Sequence, residues 1–472
     1  MLFSSLTFIY IFLPILGFLY FIIQNPIYRR IILTIFSVLF YAWGEPIFVL
    51  LILGSVFVNF ISGLFINKAE NKPILRKTYL VSSVTLNLAI LAIFKYTPMA
   101  IETVNTVFET SFHIPDITMP IGISFYTFQA MSYVIDVYRK DTEAQRSYFD
   151  LLLYITLFPQ LIAGPIVRYK DIVRQIPQRK DDVEKINQGI FRFCIGLAKK
   201  VIIANNCGSV CKALLDNIEN RAVSGLWIGM IFFSLQIYFD FSGYSDMAIG
   251  LGKIFGFEFK ENFNYPYLSK SATEFWRRWH ISLGTFFRDY VYIPLGGNKK
   301  FWLRNVIIVW FLTGLWHGAS WNFVLWGMFY GIILIIEKKV VFPAINGSQS
   351  IIISVLSYIS MFFITIFGWT IFYFTDFAEL KTVLLGMFGL SALPLTDVFA
   401  NSIISENIFL LIVALFAAFP IFPQIIKTLI EKFKIDENLL IYVKMAFSIM
   451  LLFISTAMLV SGSYNPFLYF RF

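Results

Sequence analysis

Apolar stretches long enough to cross a hydrocarbon layer recur from one end of this 472-residue chain to the other. A spanning helix needs about 20 such residues, and within hydrocarbon only helices or closed barrels satisfy their own backbone. Charged residues make up 14% of the sequence, against roughly a quarter in soluble domains. The chain therefore reads as an all-α polytopic integral membrane protein, one membrane domain over residues 1–472. About a dozen spans are expected, near residues 5–24, 31–43, 47–66, 79–95, 120–138, 223–241, 244–257, 303–317, 319–336, 351–373, 405–424 and 440–461. The first, LTFIYIFLPILGFLYFII from Leu6, is too long for the apolar core of a signal peptide, and no small-residue cleavage site follows it.

Thirty-eight Lys and Arg against 29 Asp and Glu give a net charge of +9. The basic residues gather in short loops, so they serve orientation by the positive-inside rule and not nucleic-acid binding. Six clusters follow alternate spans: Arg29-Arg30, Lys68 to Lys77, Arg139 to Lys200, Lys270 to Arg304, Glu337-Lys338-Lys339 and Lys427 to Lys434. All six face the cytoplasm if both termini lie outside. Two segments do not fit a simple bundle. LLLYITLFPQLIAGPIVR from Leu151 is apolar but broken by Pro159, Gly164 and Pro165, with basic segments on both sides, and is expected to be re-entrant. SATEFWRRWHISLGTFFRDYVYIPLGG from Ser271 is too polar to span and suits an interfacial or partly buried helix.

Few residues in the apolar runs can carry chemistry. The chain has three histidines. His317, in GLWHGASWN, lies between two apolar runs, where an imidazole either bonds helices together or acts as a general base. Trp316, Gly318 and Trp321 are placed to wall a site there, and the same residues are ordinary packing residues. His280 sits in FWRRWHISLGTFFRD among Arg277, Arg278, Arg288, Glu274 and Asp289. This is either a snorkelling interfacial helix or a docking patch for a phosphorylated ligand. His113 lies in an outer loop with no acidic or hydroxyl neighbours. Asp240 and Asp246, in YFDFSGYSDMAIGLG, flank Ser242 and an expected break at Gly243; they are either proton ligands or partners of backbone freed at that glycine. Cys194, Cys207 and Cys211 lack histidines at metal-ligand spacing, and their odd number argues against a disulfide framework. No metal site is expected. Neither a Walker-type phosphate loop nor a G-x-S-x-G nucleophile elbow is present.

Five blocks then carry a specific resemblance: PIGISFYTFQAMSYVIDVYR from Pro120, LFPQLIAGPIVRY from Leu157, YFDFSGYSDMAIGLGKIFGF from Tyr238, FWRRWHISLGTFFRDYVYIPLGGNK from Phe275, and GLWHGASWNFVLWG. In this order, within a core of residues 120–330, they resemble the membrane-bound O-acyltransferase family. They are nearest its bacterial branch of alginate and peptidoglycan O-acetylation subunits, to which the ending NPFLYFRF is also similar. The resemblance implies a ring of about 11–12 transmembrane helices, with re-entrant and interfacial helices, around a funnel and tunnel in the bacterial cytoplasmic membrane. It implies that His317 is the family's characteristic histidine and catalytic base, with His280 assisting. Trp316, Trp321, Asn322, Arg277, Arg278, Arg288, Asp289, Asp240, Asp246 and Ser242 then become candidates for lining the tunnel or binding the donor. Acetyl-CoA would be the donor, with no permanently bound cofactor. An extracytoplasmic esterase-like transferase would complete delivery to a glycan, directly or as a relay. Two other readings stand beside it: a teichoic acid D-alanyl transferase taking its acyl group from a carrier protein, and, from a different class, a secondary transporter. The acceptor glycan is not specified by these residues.

Overall fold

The protein's structure, a computed structural model, describes residues 1–162, 164–179, 181–216, 222–345, 350–462 and 464–468. Ala163 of the expected re-entrant segment and the last four residues of NPFLYFRF lie outside the described residues. All regular structure among the described residues is helical. Six helices are long and apolar enough to cross a membrane: α2 (Pro26–Gly44), α3 (Val49–Lys68), α4 (Pro73–Phe108), α9 (Val223–Ile254), α14 (Ile351–Tyr373) and Leu439–Ser461 of α19 (Glu437–Ser461). The pair α16 (Val398–Glu406) and α17 (Ile408–Ala418), bent by 58°, makes up to seven if it is taken as one broken span. Shorter helices complete the chain: α1 (Leu13–Ile22), α5 (Ile123–Arg139), α6 (Tyr148–Thr156), α7 (Val183–Ala198), α8 (Asn205–Leu215), α10 (Ala272–Arg278), α11 (Ile281–Phe287), α12 (Trp302–His317), α13 (Trp321–Ile336), α15 (Phe377–Met387) and α18 (Ile421–Phe433). The chain divides into two compact units, Met1–Phe193 with Tyr244–Lys260, and Cys194–Gly243 with Glu261–Phe472.

In the first unit, ion pairs pin the basic loops to the helices beside them. Asn25 caps α2 by accepting from the Ile27 and Tyr28 amides at 2.8 and 3.2 Å. Arg29, one turn on, pairs with Asp181 at 2.8 Å with its guanidinium over Tyr20, and Arg30 pairs with Asp150 at 2.9 Å. Mid-helix, Asn59 and Asn87 exchange amide hydrogen bonds at 3.1 and 2.9 Å, tying α3 to α4. The run from Leu151 does not span. It breaks at Leu157, turns through Phe158–Leu161 and is non-helical from Gly164 to Arg168, its described residues buried up to Val167. Side chains satisfy the freed backbone, as non-helical chain at membrane depth requires: Ser37 Oγ accepts from Phe158 N at 3.2 Å and Tyr154 Oη donates to the Val167 carbonyl at 2.9 Å. Gly122, at φ +75°, begins α5 where a Cβ would sit 2.8 Å from the Leu161 carbonyl oxygen.

Two sequence expectations are corrected here. The spans expected at 223–241 and 244–257 are one continuous helix, α9, and Gly243 does not break it. Gly243 instead permits contact, since a Cβ there would lie 2.8 Å from the Gly196 carbonyl oxygen. A further long helical stretch lies upstream. Helix α7, a π-helical turn over Lys199–Ala204 and α8 form an unbroken helical run, much of it counted in the sequence as cytoplasmic loop. Hydropathy misses this run because Lys199, Lys200, Asn205 and Asn206 sit in its middle. Within the second unit, close approaches of Gly196 to Gly243, Gly208 to Gln236 and Leu215 to Gly229 show the run lying antiparallel to α9, small residues allowing the backbones to meet. The window of α9 is 72% buried, against 11–33% for the other five long helices, so α9 is a core helix and not a lipid-facing one.

The aspartates of YFDFSGYSD therefore do not serve a break; both are ion-paired. Asp246, in the first unit, meets Arg192 at 2.8 Å. Asp240, in the second, meets Lys200 at 2.7 Å, both side chains being almost fully buried. Lys200 Nζ also donates to Asn205 Oδ1 at 2.8 Å and to the Pro466 carbonyl, while Asp240 Oδ2 accepts from the Leu468 amide at 2.9 Å. Removing one partner of such a pair costs about 3–5 kcal/mol because a charge is left buried and unpaired. Lys200→Met is expected to lower the melting temperature in detergent sharply. Lys200→Met with Asp240→Asn, which removes both charges and keeps an acceptor for Leu468, is expected to recover much of the loss. Equal melting of single and double variants would contradict this pairing.

Candidate active site

The two histidines singled out by the sequence converge within the second unit. His317 ends α12, and its site is a corner shaped by glycines. Helices α12 and α13 touch backbone to backbone: a Cβ on Gly314 would lie 2.4 Å from the Phe323 carbonyl oxygen, and one on Gly327 would lie 2.3 Å from that of Trp310. After His317 the chain turns through Gly318, where a Cβ would fall 2.2 Å from the Phe323 ring. Only glycine lets Phe323 fill that corner. The His317 ring is buried, edge-to-face with Trp326 at 4.8 Å and near Phe372 at 5.5 Å, with Trp316 at 5.0 Å.

His280 reaches the same cluster from another direction. Ser271 caps α10 by accepting from the Glu274 amide at 3.1 Å, in the S-x-x-E pattern of a helix start. Glu337, placed by the sequence in a basic loop cluster, is buried and points back to that cap. Its carboxylate accepts from the Ala272 amide, from the Thr273 amide at 2.9 Å and from Thr273 Oγ at 2.8 Å. Helix α10 stops at Trp279, and His280 takes the left-handed conformation at φ +46°, which L-residues adopt at a cost of about 1–2 kcal/mol. Two backbone bonds hold it there, Asn264 N to Arg278 O and Ile281 N to Asn262 O, both at 2.9 Å. Strain of this kind collects at functional positions.

Asn262 fixes the ring. Its Oδ1 accepts from Ser282 N at 3.1 Å and from Ser282 Oγ at 2.8 Å, and lies 3.1 Å from His280 Nδ1. An amide oxygen can only accept, so Nδ1 carries the proton and Nε2 is left as the basic nitrogen. Burial pushes the His280 imidazole well below its usual range, keeping it neutral at working pH. Phe241 packs edge-on against it at 4.6 Å, and Trp316 lies 5.7 Å away. Trp316 is thus the indole shared by both histidines. Around it, Trp276, Trp310, Trp326, Tyr330 and Trp369 form a continuous aromatic cluster.

The remaining sequence candidates separate into groups. Ser242 is buried, and its hydroxyl has no hydrogen-bond partner among the described residues. Asn322 is fully buried and donates to the Ile371 and Phe372 carbonyls at 3.2 Å, bracing α13 against α14. Trp321 is 47% exposed, and the indole packed edge-to-face with His317 belongs to Trp326 instead. Arg277 is exposed with no acidic partner among the described residues, Arg278 pairs with Glu274 at 2.8 Å, and Arg288 pairs with Asp289 at 2.7 Å. Asp240 and Asp246 serve the ion pairs described above. Sequence reasoning missed Asn262, Glu337, Trp326, Phe241 and Phe372. The Ser-x-x-Glu start and the single Glu at the foot of an apolar run were signals; nothing in the sequence pointed to Asn262.

The chain is 41% identical to a probable alginate O-acetylase of Pseudomonas aeruginosa, over 79% of this chain and 72% of that protein. It is 31% identical to the peptidoglycan O-acetyltransferase of Helicobacter pylori, over 100% and 98% of the two chains. It is 30% identical to the teichoic acid D-alanyltransferase of Bacillus subtilis, over 45% of this chain and 58% of that one. The family model described as MBOAT, membrane-bound O-acyltransferase, matches residues 82–373, a stretch holding both histidines, Trp316, Asn262 and Glu337. The chain belongs to the membrane-bound O-acyltransferase family.

Proposed function

We propose that this protein moves acetyl groups from cytoplasmic acetyl-CoA across the bacterial cytoplasmic membrane for O-acetylation of an extracytoplasmic glycan, with His317 as base. The observation that carries this reading is the pair of buried histidines meeting at Trp316. In the reaction a hydroxyl oxygen attacks the thioester carbonyl while an imidazole nitrogen takes its proton. The C–S bond breaks, the ester remains, and the same imidazolium returns the proton to the thiolate. One positioned base of this kind contributes about 10²–10⁴-fold. The exposed Arg277 and the cations from Arg288 to Arg304 are offered to the phosphates of coenzyme A. Acetyl transfer, and not D-alanyl transfer from a carrier protein, is favoured because the two O-acetylating relatives match 79% and 100% of this chain, whereas the D-alanyltransferases match 45–46%. Peptidoglycan and an exopolysaccharide such as alginate are the acceptors those relatives bring forward. A separate esterase-like transferase outside the membrane completes delivery.

His317→Ala is expected to lose transfer of labelled acetyl from acetyl-CoA by at least about 10²-fold while still running as a monodisperse peak in detergent. Turnover at the wild-type level in that variant would sink the assignment. Asn262 acts through His280 and is a positioning residue. In Asn262→Asp a carboxylate replaces the amide oxygen beside Nδ1, and an adjacent negative charge raises an imidazole pKa by about 1–3 units. Protonated His280 is the inactive form, so the acid limb of the rate profile is expected to move to higher pH, with activity recovered at alkaline pH. A uniform loss at every pH would instead indicate a merely structural role.

A further inference from the structure

The second unit holds a cavity of about 440 Å³ that the acyl-transfer reading does not use. Its floor is buried, formed by Leu235 of α9, Phe275 of α10, Ile366 of α14 and Ala418 at the end of α17. Its rim is open: Tyr358 and Phe362 of α14 and Leu415 of α17 are each 40–45% exposed. The polar residues of the wall are largely turned to the protein. Ser234 and Ser269 donate to the carbonyls of Met230 and Pro266 at 2.8 and 2.7 Å, and Tyr267 Oη donates to the Ser234 carbonyl. What remains for an occupant is chiefly hydrocarbon, and water finds few partners there. From Tyr358 to Ile366 the cavity follows α14 for about 12 Å at the helical rise, an elongated shape.

One end of this space is charged. Lys270 follows the lining residue Ser269, and its ammonium lies 5.4 Å from the centre of the Tyr358 ring and 3.2 Å from Ser354 Oγ. No carboxylate pairs with that ammonium among the described residues. Glu274, the nearest in sequence, accepts from the Lys270 backbone amide and engages Arg278. Lys270 begins one of the basic clusters assigned to the cytoplasmic face. An exposed cation at the membrane boundary, with an apolar channel running from it, is complementary to an anionic amphiphile and not to a free anion or a neutral oil.

We infer that the cavity binds one acyl chain of an anionic phospholipid of the cytoplasmic leaflet, with the phosphate at Lys270. The bound chain lies against Phe275, which stacks on Trp279 at 5.7 Å, the residue preceding His280. The lipid thereby buttresses the helix that leads into the active site.

Native mass spectrometry of purified protein given equal phosphatidylglycerol and phosphatidylcholine tests this, without donor or acceptor present. Wild-type protein is expected to retain one phosphatidylglycerol preferentially. Lys270→Gln should reduce that preference by about fivefold, the effect of one basic residue near an anionic lipid surface. Ala418→Phe, which fills the floor, should abolish retention of both lipids. Leu415→Trp, which narrows the exposed rim, should do the same without disturbing the core. Equal retention of the two lipids by wild-type protein would overturn the inference, as would retention unchanged in Lys270→Gln and Leu415→Trp. Displacement of the lipid by added coenzyme A would overturn it too, assigning Lys270 to the donor. Because no acetyl transfer is read, these outcomes stand apart from the success or failure of the proposed reaction.

Discussion

A polar group at membrane depth must find its partner inside the protein, and most of the described architecture follows from that constraint. Lys200 lies in the middle of a helical run, within its π-helical turn, because Asp240, Asn205 and the Pro466 carbonyl receive its three donors. The same pair fixes the C-terminal segment, through Leu468 on Asp240 and Asn465 on Asn205. In the other unit Asn59 with Asn87, and Ser37 with the re-entrant backbone, answer the same demand with neutral groups. Within the second unit, what the ion pair fixes is one side of α9, the helix whose Phe241 packs on His280.

The active-site corner meets the constraint in a different way. His280 is held by the Asn262 amide oxygen and two backbone bonds, with the Ser282 hydroxyl 3.4 Å from Nδ1 and the rings of Phe241 and Trp316 packed beside it. His317 is walled by Trp316, Trp326 and Phe372. Aromatic edges and faces exclude water from both rings, the setting that the proposed reaction asks of an imidazole base. Low dielectric around the pair strengthens each remaining electrostatic contact. Buried charges thus serve the scaffold, and the proposed reaction is left to the two histidines.

Much of this was legible in the sequence. Apolar length gave the class, and the rarity of histidine inside apolar runs pointed to the two buried histidines that Trp316 links. The errors share a physical origin. Hydropathy treats a lysine as a solvated charge, so the run from Val183 to Leu215 read as loop until Asp240 supplied its counter-charge. A glycine between two aspartates read as a break, although in α9 it is the surface on which another helix rests. Trp321 is nearer to His317 in sequence than Trp326. One helical turn and a half separates those two tryptophans, enough to direct Trp326 to the histidine and leave Trp321 half exposed. Asn262 was invisible because it acts across 18 residues of chain.

The central claim is that His280 and His317 form one reactive unit around Trp316. Initial rates of acetyl transfer for His280→Gln, His317→Ala and the double variant measure this directly. Groups that act as a unit are strongly non-additive, so the double variant should lose little more than His317→Ala alone. Losses that multiply, with each histidine contributing the same factor whether or not the other is present, would contradict a shared centre.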